Sequence, residues 1–287
     1  MVMTREHDLR VRQGVVAVAL VGCLAVVGGC QDPWQSKLDR AGDLAFQGRY
    51  EEAVYVLDEL LTSLPDVPNE DADPVRLKAL SKAGRIAHLF LRNVDLAVSY
   101  HSRIIELYPG SEQSYEARQK LARIHVEAND RARAVVQYQA LVSGFPDKPG
   151  VDQFQYELAR GYFVLGDHEQ SRTEARRLLE LWPDSHYADR VRMLVATTYH
   201  IQGRHEKAVQ AYEEARDATE DVNLAAHALF ETAGSLAAMG KKEKAVETYL
   251  EALATHPRPQ IVRMRLDRLR GRMARRDLDN LDVHRVW

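Results

Sequence analysis

Over most of the chain, apolar residues return every three or four positions, the spacing that gathers them on one side of an α-helix. The plan is clearest between residues 158 and 183. Leu158, Ala159 and Tyr162 form one apolar stripe, Gly166-Asp167 interrupts it, and Ser171, Ala175 and Leu178 form a second stripe closed by Pro183. Two amphipathic helices joined by a tight turn are predicted. The same plan recurs along the chain. Ala97, Ala134, Ser171, Ala208 and Ala245 follow one another at steps of 37, and Pro109, Pro146, Pro183 and Pro257 fall on the same comb, with Glu220 at its missing tooth. Ala53 and Pro65 stand 44 residues before Ala97 and Pro109, so a sixth unit comes first, followed by seven extra residues around the acidic stretch from Asp66 to Pro74. The predicted fold is an all-α solenoid of about six helix pairs over residues 36–257.

The positions that repeat carry the residue types that paired helices need. Small residues stand in the first helices at Ala41, Ala122, Ala159, Ala196 and Ala233. Turns carry Gly48, Asn129, Gly166, Gly203 and Gly240, types that accept the left-handed backbone at a helix C-terminus. In the second helices Leu57, Tyr138, Tyr212 and Tyr249 are followed one turn later by Leu60, Leu141, Ala215 and Ala252, which predicts a buried stripe. The second unit departs most. Arg92 and Asn93 replace the turn glycine, Arg85 falls where alanine is expected, and His101 takes the aromatic place.

This pattern resembles the tetratricopeptide repeat, whose usual period of about 34 residues is here lengthened after each proline. Ser111 and Ser185, which follow Pro109 and Pro183, are expected to cap the next helix. The resemblance implies a right-handed superhelix whose first helices line a concave groove that holds an extended peptide or a partner's helix. Transferred to this chain, the groove-facing places are Gln119 and Arg123 in the third unit and Tyr156, Arg160 and Phe163 in the fourth. In the fifth and sixth they are Arg190, Met193, His200 and Phe230. Arg123 and Arg160 occupy equivalent places in adjacent units, so they are expected to stand beside each other and attract one anion. The family's chaperone-binding members use a lysine and asparagine clamp that this chain lacks.

The first thirty residues read as an address. Arg5, Arg10 and Arg12 precede an uncharged run from Gly14 to Gly29, shorter than the roughly twenty residues that span a bilayer. Val27-Gly28-Gly29-Cys30 resembles the lipobox of bacterial lipoproteins, which implies a signal peptide over residues 1–29 and a lipidated Cys30 opening a linker over 30–35. Leu20-Val21-Gly22-Cys23 is a second site of this kind, but cleavage there would leave Leu24 to Gly29 as an apolar stub. By the sorting rule of that family, Gln31 after the cysteine favours the outer membrane, facing the periplasm. Long units with a proline–serine lead-in resemble periplasmic repeat lipoproteins. That likeness implies a scaffold in the bacterial envelope that binds an envelope protein, with β-barrel assembly, peptidoglycan and secretion-system roles as alternatives.

Charge refines the partner. A formal charge of -3 argues against a broad positive field for nucleic acid. One basic run is local: Arg263, Arg265, Arg268, Arg272 and Arg276 lie in a segment where Val262, Leu266, Leu269 and Met273 keep helical spacing. It predicts a capping helix over residues 258–276 with a basic outer face, suited to anionic lipid or an acidic partner, and then a tail over 277–287. Catalytic signals are weak throughout. The chain has no His-Glu-x-x-His, no Gly-x-Ser-x-Gly elbow and two cysteines, both in the leading segment. Gly234 to Lys241 misses the phosphate-loop spacing, and Lys242 stands where Ser or Thr would hold magnesium. The expectation is a non-catalytic protein without metal, cofactor or small-molecule substrate.

Overall fold

A computed structural model describes residues 33–67 and 69–283, with side chains as far as residue 271. The expected signal segment, Cys30 and the side chains of Arg272 and Arg276 lie outside the described residues. Among those residues there are thirteen helices and no strand. They pair in chain order: α1 (Pro33–Phe46) with α2 (Tyr50–Ser63), α3 (Asp73–Leu89) with α4 (Val94–Leu107), and α5 (Glu112–Glu127) with α6 (Arg131–Gly144). Next come α7 (Val151–Val164) with α8 (His168–Leu181), α9 (Ala188–Ile201) with α10 (His205–Asp217), and α11 (Val222–Ala238) with α12 (Lys242–Thr255). Helix α13 (Pro259–Val283) follows.

Each helix packs on the next, and some odd-numbered helices also touch each other, at α1/α3, α3/α5 and α7/α9. The side on which alternate helices approach is the inside of the solenoid's curve, so the odd-numbered helices line it. The small residues make this stacking close. Ala41, Ala122, Ala159, Ala196 and Ala233 are buried, as are Ala53, Ala97, Ala134, Ser171, Ala208 and Ala245 opposite them. Each second helix with a following proline stops there, since the proline ring disfavours the helical conformation for the residue before it. Tyr108, Phe145 and Trp182 hold that place before Pro109, Pro146 and Pro183.

The second unit corrects one sequence expectation. Its turn bond runs from Asn93 N–H to the Ala87 carbonyl, six residues back, whereas the equivalent bond from Asp130 N–H reaches His125, five back. One extra residue in the turn shifts α3 along its axis. Gly84, not Arg85, therefore fills the small buried place, and Arg85 turns outward. Glycine is required there: a Cβ would lie 2.8 Å from Nε2 of the buried His101. Arg92 does take the turn glycine's left-handed conformation, with φ of 51° against 83° at Gly166.

Other boundaries differ in detail. Ser111 caps α5 by accepting from Ser114 N–H at 3.1 Å. Ser185 does not cap α9, which begins at Ala188; it accepts from Tyr187 N–H and donates to Asp152 at 2.5 Å, tying the turn to α7. The acidic connection before α3 is held by Arg76, which pairs with Asp73 at 2.6 Å and donates to Tyr108 Oη and the Pro65 carbonyl. Helix α13 buries Val262, Leu266 and Leu269 and continues to Val283, past residue 276.

Candidate functional site

The inner face holds two consecutive recesses that share Lys120 and Arg123. The first, about 400 Å³, lies between α1, α3 and α5. Its cations are Lys78, Lys82 and Arg85 from α3 with Lys120 and Arg123 from α5, and its one lining carboxylate is Asp39. Leu38, Ile124 and His101 also line it, and all three are buried. Burial, with Lys120, His88 and Arg123 nearby, lowers the His101 pKa to about 4, so the imidazole is neutral at neutral pH. Its Nδ1 has no hydrogen-bond partner.

The second recess, about 670 Å³, lies between α5, α6 and α7. Gln119, Arg123 and Arg160 are brought together there, beside Val126, Tyr138 and Phe154. Tyr138, expected as core, is half-buried and stacks on Phe154 at 6.2 Å between ring centroids. Both arginines have intramolecular company: Arg123 lies 3.7 Å from Glu127, and Arg160 lies 3.2 Å from Glu157. Exposed pairs of this kind contribute little, typically about 0–1 kcal/mol, and exchange readily for an incoming carboxylate.

The shift of α3 extends this arginine row. Arg85 on α3 and Arg123 on α5 hold equivalent places 38 apart, and Lys82 and Lys120 do the same, so Arg85, Arg123 and Arg160 stand on successive inner helices. Sequence reasoning missed Arg85 because the comb of 37 is anchored in the second helices and cannot register an extra turn residue. The misfit of Arg85 and His101 to the pattern was the available signal.

The remaining groove expectations separate. Met193 and Phe230 are buried; Phe230 packs on Tyr249 and His256, so both are core rather than contact surface. Tyr156 is half-buried and stacked on Tyr187 at 4.9 Å, while exposed Arg190 stands 6.0 Å over the same Tyr187 ring. Half-buried Phe163 meets His168 across the α7–α8 turn. His200 bonds Ser235 at 2.8 Å, and burial lowers its pKa. Arg263, Arg265 and Arg268 are exposed on α13. Among the described residues no cluster of three or more His, Cys, Asp or Glu could hold a metal ion, and no helix is long and apolar enough to cross a membrane.

Comparison with known proteins agrees with this geometry. Models of the tetratricopeptide repeat match residues 116–148, 152–221 and 201–260, so the chain carries these repeats. Among solved structures, MamA is 15% identical with a TM-score of 0.51, over 64% of this chain and 93% of that one. Naa15/Naa10 bound to HypK-THB is 19% identical with a TM-score of 0.64, over 82% of this chain and 34% of that one. The apo form of RapI is 13% identical with a TM-score of 0.54, over 87% and 74%. These likenesses establish the α-solenoid fold. No curated protein sequence matches the chain. The repeats and the solenoid together support a scaffold for protein–protein contact.

Proposed function

We propose that the protein is a lipid-anchored scaffold of the bacterial envelope that holds a segment of another envelope protein on its inner face and catalyses nothing. The observation that carries the contact surface is the second recess. Arg123 and Arg160 stand on its two walls beside Tyr138 and Phe154, which suits a segment with one carboxylate and one apolar anchor. One solved structure of similar fold is that of Naa15/Naa10 bound to HypK-THB, so the fold occurs in protein complexes. The anchor rests on the lipobox resemblance at Cys30 alone.

Two experiments test the two halves separately. Metabolic palmitate labelling of the wild type and of Cys30→Ser is expected to label only the former, and label retained in the variant overturns this anchor. A photocrosslinker at Gln119 is expected to trap an envelope protein in cells, with the product lost in Arg123→Glu/Arg160→Glu. An unchanged product in that variant places the contact elsewhere.

A further inference from the structure

The first recess holds more positive charge than its own structure uses. Lys78, Lys82 and Arg85 follow at i, i+4 and i+7 on α3, so three like charges share one helix face, an arrangement that disfavours the helix. Lys120 and Arg123 face them from α5. Lys120 leans on Glu116 at 3.6 Å and Arg123 on Glu127 at 3.7 Å, both loose pairs. Lys82 Nζ reaches only the Leu38 carbonyl, at 3.4 Å, and the wall's carboxylate, Asp39, accepts from Gln35. Lys78 and Arg85 meet no carboxylate among the described residues.

Beneath these charges the recess is closed by buried side chains, and Leu89, 51% exposed, gives it apolar surface. Leu38 and Ile124 are 3% and 1% exposed, and the unpaired His101 is 2% exposed. Solvated surface lysines need no such floor. The volume of about 400 Å³ falls in the usual range of small-molecule sites, roughly 300–1,000 Å³. An inorganic anion alone would leave Leu89 uncovered. An acidic polypeptide running on into the second recess would meet Glu116 and Glu157 in its wall, which repel further carboxylates.

We propose that this recess binds a small amphiphilic anion, its aliphatic body against Leu89 over the closed floor and its carboxylate or phosphate head among Lys82, Arg85, Lys120 and Arg123. Such a ligand departs from the sequence expectation of no small molecule, and it does not depend on the envelope role proposed above. Bound there, it would neutralise the α3 and α5 charges together and cross-link the first three units.

Titration calorimetry on the full chain tests this with octanoate and octyl phosphate, both below their micelle thresholds. Octanol, inorganic phosphate and hexaglutamate serve as controls. The two amphiphiles are expected to bind at least tenfold more tightly than each control. Lys82→Gln/Arg85→Gln is expected to fold as judged by circular dichroism and to weaken them at least tenfold. Arg160→Gln, in the other recess, should leave them unchanged. Equal binding of octanol or phosphate, tighter binding of hexaglutamate, or indifference to the double variant would each overturn the proposal.

Discussion

His101 shows how one side chain ties packing to solution behaviour. Its ring is buried against Gly84, and its pKa of about 4 lies below the ordinary histidine value near 6.5. Between these values the unfolded chain binds the proton and the folded chain does not. Stability therefore stands complete above pH 6.5 and falls as the pH drops toward 4, by on the order of 3 kcal/mol from this residue. His101→Leu, which matches Leu57 of the first unit, is expected to flatten that slope in melting temperature measured from pH 7 to pH 4. Arg92 gives the opposite kind of lesson. At φ of 51° it holds a conformation that costs a side-chain-bearing residue about 1–2 kcal/mol, part of which glycine returns as unfolded-chain entropy. Arg92→Gly is expected to raise stability by about 0.5–1 kcal/mol, read from the urea midpoint at unchanged m-value. This position was legible in the sequence because turn chemistry is local: the comb placed Arg92 where the other units have glycine or asparagine.

At the level of the element, α3 separates what a repeat pattern can reveal from what it cannot. Its existence and the acidic connection before it were readable. Its register was not, because a one-residue lengthening of the 90–93 turn leaves Ala97 and Pro109 on the comb and moves only the first helix. The candidate site inherits that blind spot. Arg123 and Arg160 sit in regular units and were found together; Arg85 and Lys82 sit in the displaced helix. The irregular loop before α3 is pinned by a buried cation instead of by repeat contacts. Arg76 is 2% exposed and serves Asp73, Tyr108 and the Pro65 carbonyl at once. Arg76→Ala takes the cation from Asp73 and the donor from the Pro65 carbonyl and is expected to cost about 3 kcal/mol, with protease cleavage appearing first between residues 65 and 72. Groove residues in α9 and α11 were misjudged for a further reason. Helical spacing places Met193 and Phe230 on the inner side, but Tyr249 and His256 cover Phe230 and Met193 packs in a cluster with Tyr212, and the periodicity of one helix carries no record of what its partner helix lays over it.

For the whole molecule, stability is a sum of neighbouring interfaces, as in any solenoid whose units touch only those beside them. Helix α13 closes the far end by covering Tyr249 and Ala252 with Val262, Leu266 and Leu269, while Arg263 and Arg265 face outward. A chain ending at residue 257 is expected to lose hydrogen-exchange protection in α11 and α12 first and to unfold in two phases, with α1 to α4 keeping their protection.

The buried apolar core is not shared evenly along this stack. One continuous cluster joins α1, α2, α3, α4 and α5, whereas α9 to α13 are held by smaller, separate clusters. Mechanically, that makes the molecule a graded spring, rigid near its beginning and compliant toward its end. Pulled from both extremities, it would lengthen by uncoiling its later turns while the cationic hollow near its beginning kept its shape.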